Sequence, residues 1–220
     1  MKAPLFLGAL TLCAIVTLAA AGEPNARRDL ENVLRATPNL NHGAQLFATC
    51  AQCHGGKTTG LLAEWVPEIA AQHARVIAKQ LVDYRHGKRW DDRMEHMAGE
   101  HTLPSTQDIA DVAAYAQQLP PRPAAARIPG ESERVGKQLY EALCSTCHGL
   151  NAEGDATRFV PRLAGQRNAY LLRQLHDVVD GRRPNMAATH AAALRKLDMQ
   201  QLAGLADYLS QSPAPGAHRS

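Results

Sequence analysis

The feature that most limits what this chain can fold into is an internal duplication. Adding 94 to each number carries CAQCH (50–54) onto CSTCH (144–148), VPEIAAQ (66–72) onto VPRLAGQ (160–166), and KQLVDYRHGKR (79–89) onto RQLHDVVDGRR (173–183). Near the end the offset becomes 93, where DIADVAAYAQQ (108–118) meets QLAGLADYLSQ (201–211), so one residue has been lost between Arg183 and Gln201. Apolar residues recur three and four apart in both copies, as in YLLRQLHDVV and QLAGLADYL, and no strand-like alternation stands near the motifs. The expectation is an all-α chain of two tandem domains, 40–118 and 132–212, with at least three helices each. A Pro- and Ala-rich linker (119–131), a C-terminal tail (213–220) and an N-terminal extension (22–39) without counterpart complete it.

Cysteine usage narrows the chemistry. Outside Cys13 the cysteines are Cys50, Cys53, Cys144 and Cys147, each pair followed directly by a histidine, His54 or His148. Two thiols three positions apart reach the two vinyl groups of one haem while the adjacent imidazole reaches the iron from the same side. A zinc site would draw both pairs into one tetrahedron and leave two histidines unexplained. A redox dithiol expects a βαβ context that the periodicity lacks. Two covalently bound haem c groups are therefore expected, with disulfides as the other alternative for four exported cysteines.

Both motifs, both VPxxAxQ segments, the paired QL…G(K/R)R stretches and the closing helices with Tyr115 and Tyr208 occur in the same order twice. In this the chain, over about residues 40 to 212, resembles the tandem di-haem class I cytochromes c, particularly the cytochrome c₄ family. The resemblance implies two small all-α cytochrome domains, and a Met from the loop before each closing helix as the second axial ligand. Pro67 and Pro161 are implied to form the wall beside His54 and His148. Counting back 18 residues from Tyr115 gives Met97, which matches the family pattern, with Met94, His96 and His101 as nearby rivals. The same count from Tyr208 gives His190, a departure from it. Three readings compete there: His190 as ligand, making the second haem bis-histidine; Met186, if the lost residue reshapes the loop; or an open sixth position. Register favours His190.

Lys88, Arg89, Arg182 and Arg183 hold matched places and are candidates for pairing with haem propionates, against the plainer reading of solvated basic turns. His42, His73, His86, His176 and His218 have no repeated partner and are expected at the surface. Residues 1–21, with Lys2, an apolar run from Leu5 to Ala20 and small residues up to Gly22, read as a cleaved secretory signal rather than a membrane anchor, since spanning takes about 20 apolar residues. That places the mature protein in the periplasm. The formal net charge of +3 and the scattered basic pairs, in a chain only 5% aromatic, exclude a nucleic-acid surface and suit brief, weakly steered docking. Two functional classes follow. The favoured one is an electron carrier between a membrane or periplasmic donor and a terminal acceptor. The other is a haem subunit or enzyme of the thiosulfate or sulfide dehydrogenase or peroxidase type, with a displaceable sixth ligand.

Overall fold

In each repeat a first and a last helix cross so closely that one backbone has no room for a side chain. Gly43 sits where a Cβ would run into the carbonyl of Asp111, and Gly136 where it would run into the carbonyl of Gly204. One turn on, Phe47 packs on Tyr115 with ring centroids 5.4 Å apart, and Tyr140 on Tyr208 at 5.5 Å. These contacts come from a computed structural model, which describes residues 22–55, 64–121 and 128–214. The expected signal at 1–21 lies outside the described residues, as do 122–127 of the linker and 215–220 of the tail.

The described residues form ten helices: α1 (Gly22–Arg35), α2 (Leu40–His54), α3 (Ala74–Arg85), α4 (Asp92–Ala98), α5 (Thr106–Gln118), α6 (Glu131–Leu143), α7 (Ser145–His148), α8 (Asn168–Val179), α9 (Ala188–Leu194) and α10 (Met199–Gln211). Extended structure among them is confined to one isolated bridge, Asp155 to Val160. The closing helices start with reciprocal capping boxes at matched places, Ser105 with Asp108 on α5 and Asp198 with Gln201 on α10. Phe47, Val82, Ile109 and Val112 centre the first core; Tyr140, Leu171, Leu205 and Leu209 centre the second.

Gly43, Phe47 and Tyr115 map onto Gly136, Tyr140 and Tyr208 at an offset of 93, whereas the cysteines map at 94. The second copy therefore holds one extra residue just before its CSTCH motif as well as one fewer near its end. The backbone records the first change: α2 runs unbroken through His54, while its counterpart breaks at Cys144 into α6 and α7.

The extension before residue 40 is α1, docked on the first domain. Ala26, Leu30 and Val33 enter that core, and His86 Nε2 meets Asp29 Oδ2 at 2.9 Å. The expectation that the unrepeated histidines are mere surface residues is thereby corrected for most of them. His42 Nδ1 meets the buried Asp111 carboxylate at 2.8 Å, His73 Nε2 reaches the carbonyl of Glu153 in the other domain at 2.8 Å, and His176 Nε2 is buried. Each partner lies far away in sequence, so spacing could not reveal it. His218 lies outside the described residues.

The domains meet through a two-fold exchange. Glu68 N donates to Gln166 Oε1 (2.7 Å) while Gln166 Nε2 donates to the Glu68 carbonyl (2.9 Å). At the positions 94 away, Arg162 N donates to Gln72 Oε1 (3.0 Å) and Gln72 Nε2 donates to the Arg162 carbonyl (2.9 Å). All four groups are buried, so each bond satisfies a main-chain group cut off from water.

Ala71 and Gly165, also 94 apart, both adopt positive φ, at 55° and 71°, and each amide bonds the end of its closing helix (Ala116 or Leu209 carbonyl, 3.0 Å). An alanine in that region is strained by about 1–2 kcal/mol. Ala71→Gly is expected to raise the unfolding free energy by about 1 kcal/mol after the entropy cost of glycine, and Gly136→Ala to lower it by about 2 kcal/mol through overpacking. Gln166→Ala should cost about 2 kcal/mol by stranding the Glu68 amide. Chemical denaturation of the holoprotein measures all three.

Candidate metal centres

The last turn of α2 carries Cys50, Cys53 and His54 to the first site. His54 is buried, and its Nδ1 lies 2.9 Å from the carbonyl of Pro67. A carbonyl only accepts, so Nδ1 holds the proton and Nε2 keeps a free lone pair. In the second domain His148 is buried in the same way, with Nδ1 3.1 Å from the Pro161 carbonyl. Burial holds both imidazoles below the ordinary histidine pKa, and the proline carbonyls oppose it in part. Each ring is thus neutral at pH 7, as a metal ligand must be. Pro67 does line the space beside His54, and both prolines also accept a hydrogen bond from the neighbouring imidazole.

Beside His54 opens a cavity of about 700 Å³, inside the roughly 300–1,000 Å³ range of small-molecule and cofactor sites. Cys50, Cys53, His54, Phe47, Leu81 and Val112 line it, and so do Met97 and its rival Met94. His96 and His101, the other two rivals, instead turn to each other at the surface, Nε2 to Nε2 at 3.1 Å. Arg85 clamps the segment after Met97, donating to the Ala98 carbonyl at 2.9 Å and the Leu103 carbonyl at 2.5 Å.

At the second site His148 and His190 face each other with ring centroids 6.3 Å apart. Metal to imidazole-nitrogen bonds of about 2.0–2.1 Å put two rings on opposite sides of one ion about 6 Å apart, so the spacing fits a shared ion. His190 Nδ1 is buried and has no partner among the described residues. Burial first, and Arg183 second, hold this imidazole below its usual pKa. Met186 packs against the cluster of Val178, Ala191, Leu194 and Leu202. The register shift behind this arrangement has a local cause. Asp91 caps α4, but its counterpart Asn185 donates across the interface to Asp83 at 2.7 Å, and the matching helix α9 starts only at Ala188.

The four cysteines among the described residues are unbridged, Cys50 and Cys144 half-buried and Cys53 and Cys147 exposed. Burial pushes the Cys50 thiol up and the Cys144 thiol up to about 11. A redox dithiol needs the opposite shift. Among the described residues no three His, Cys, Asp or Glu side chains gather as a metal cluster.

The matched basic residues split by position. Arg182 is half-exposed, pairs with Asp177 (3.0 Å) and Asp180 (2.7 Å), and also lines the cavity beside His54. Arg89 is buried between the domains, giving its hydrogens to Gln80 Oε1 (2.7 Å), Gln174 Oε1 (2.6 Å) and Tyr170 Oη (2.8 Å). Arg183 lies beside it, and burial together with that neighbouring guanidinium pushes its pKa down to about 10. Two adjacent guanidiniums bonded only to neutral oxygens make a place for carboxylates, which fits a group bearing propionates. No local pattern announces that Arg173, Asp177 and Arg182 of the second domain line the first domain's cavity. Their contact crosses the repeat boundary, beyond the reach of any repeated segment.

The cytochrome c family model matches residues 40–120 and 134–213. The chain belongs to the cytochrome c family, in its tandem cytochrome c₄-like form. It is 30% identical to cytochrome c₄ of Pseudomonas aeruginosa over 188 residues, covering 82% of this chain and 92% of that one. It is 33% identical to the thiosulfate dehydrogenase electron acceptor of Stutzerimonas stutzeri over 173 residues, covering 73% and 77%. The crystal structure of reduced recombinant cytochrome c₄ from Pseudomonas stutzeri superposes with a TM-score of 0.68 at 26% identity, covering 83% of this chain and all of that one. Membership implies covalently bound haem c, and the two domains fit two haems.

Proposed function

We propose that the protein is an exported electron carrier whose two haems are inequivalent. In this reading Cys50 and Cys53 would hold one haem through thioether bonds, with His54 and Met97 as the side chains offered to its iron. Cys144 and Cys147 hold the other with His148 and His190. Haem c, when bound, supplies an iron that alternates between ferric and ferrous states and so carries one electron. The protein's part is to enclose each site in apolar side chains, fix each proximal imidazole in one tautomer, and choose the distal atom. A thioether at Met97 favours the ferrous state, whereas a second imidazole at His190 favours the ferric one.

The observation that carries this asymmetry is the 6.3 Å spacing of the His148 and His190 rings, set against a first cavity lined by two thioethers. Export is supported by the signal-like first 21 residues. The near balance of charge suits short-lived docking on redox proteins at both ends of the transfer. The name of the Stutzerimonas relative points to a second, narrower reading of the donor, an enzyme that oxidises thiosulfate.

Low-temperature EPR of the ferric holoprotein is expected to show one His/Met and one bis-imidazole signal. Two His/Met signals would rule out the assignment of His190. His190→Ala should open the second site to rapid binding of carbon monoxide by the reduced protein, while Met186→Leu should leave both spectra unchanged. Rapid binding to the untreated wild type would favour an enzyme over a carrier.

A further inference from the structure

The two-fold exchange between the domains breaks down around the cofactor sites, and it does so in charge. Arg89 Nη2 donates to Gln174 Oε1 and, at the positions 94 away, Arg183 Nη2 approaches Gln80 Oε1 at 3.5 Å, so the frame itself is symmetric. Within that frame Arg173 is the counterpart of Lys79, and Arg167 the counterpart of His73.

Lys79 never reaches the second site as a loose charge. Its Nζ sits 2.5 Å from Asp83 Oδ2 on its own helix, which also receives Asn185. Arg173 behaves differently. Although it belongs to α8 of the second domain, it lines the cavity of the first. Its contacts there are long, 3.5 Å to Asp91 Oδ2 and 3.4 Å to the Trp65 carbonyl, with the guanidinium 5.5 Å from the centre of the Tyr170 ring. Its Nε is buried and finds no partner among the described residues.

Arg167 repeats the pattern. Its side chain is 5% exposed, and its nearest carboxylates, Glu64 and Glu68, stand off at 3.9 and 4.0 Å. Its Nε is likewise buried without a partner among the described residues. Glu68 directly follows Pro67, whose carbonyl fixes His54, so this charge also borders the first site. Its counterpart His73 turns to the Glu153 carbonyl at 2.8 Å.

We propose that Arg173, assisted by Arg167, is a cross-domain positioning residue: the second domain completes the first domain's cofactor site and stabilises an added electron there. The inference rests on the di-haem reading above. An added electron makes the site more negative, and a cation held beside a poorly solvated cavity lowers the energy of that state far more than it would in water. The second site receives no matching cation from the opposite domain, because Lys79 is tied to Asp83; the cation beside His190, Arg183, belongs to the second domain itself. The cross-domain charge therefore raises the potential of the first domain, for a reason separate from the identity of its distal ligand.

The test is a spectroelectrochemical titration of holoprotein, wild type against Arg173→Gln, Arg173→Lys and Arg167→Gln. Wild type is expected to reduce in two one-electron steps. At the wild-type midpoint of the upper step, Arg173→Gln should lower the ratio of reduced to oxidised haem about tenfold, a shift of about 59 mV for one electron, with the lower step moving much less. Arg173→Lys, which keeps the charge, should retain most of the upper potential. Arg167→Gln, which leaves Arg173 in place, should move the same step the same way. Two equal steps in wild type, an upper step unmoved in both glutamine variants, or a shift of the lower step instead, would overturn the inference. A wild-type protein that takes up fewer than two electrons would overturn the di-haem reading itself.

Discussion

Each domain is arranged around one hydrogen bond, from the Nδ1–H of a buried histidine to a proline carbonyl thirteen residues further on (2.9 Å from His54 to Pro67, 3.1 Å from His148 to Pro161). That bond decides which nitrogen is free, and burial keeps the ring uncharged, so a metal-binding lone pair is ready at pH 7. The proline segment is held in turn by the rest of the structure. Glu68 and Arg162, the residues directly after the two prolines, are the ones whose main chains bond the glutamines of the opposite domain. The interface thus braces the histidine supports as well as joining the domains.

Duplication explains the likeness of the two halves, and small local changes explain how they part. One extra residue breaks α6 from α7 before His148, and one lost residue, together with the replacement of a capping aspartate by Asn185, delays α9 and brings His190 opposite His148. The helix crossings at Gly43 and Gly136 and the aromatic pairs beneath them were left intact, because an added methyl group there would meet main chain. Divergence fell on loops and helix ends, where a shift of one residue can exchange one distal side chain for another without disturbing the core.

Much of this was legible in the residues. Helical period, the paired CxxCH motifs and the order of the repeated segments led to two all-α cytochrome domains, and the count back from each closing tyrosine picked out Met97, which lines the first cavity, and His190, whose ring lies 6.3 Å from that of His148. Other parts were present in the sequence but easy to miss: the offset of 93 between Phe47 and Tyr140, ahead of motifs offset by 94, already marked the extra residue that breaks the helix. The rest was not written in any local pattern. His86 with Asp29, His73 with Glu153, and Arg173 in the neighbouring domain's cavity are pairings between distant segments, fixed by how helices dock and not by what they are made of. For the same reason α1 reads in the sequence as an unplaced extension and in the structure as part of the first core.

Peptide mass spectrometry of protein matured in a host able to attach haem c decides whether two haems are covalently bound, one at Cys50 and Cys53 and one at Cys144 and Cys147. The peptides spanning 50–54 and 144–148 are each expected to carry one haem, with neither thiol pair open to alkylation. Recovery of either peptide with both cysteines alkylated and no haem mass, from correctly folded protein, would refute covalent attachment at that site.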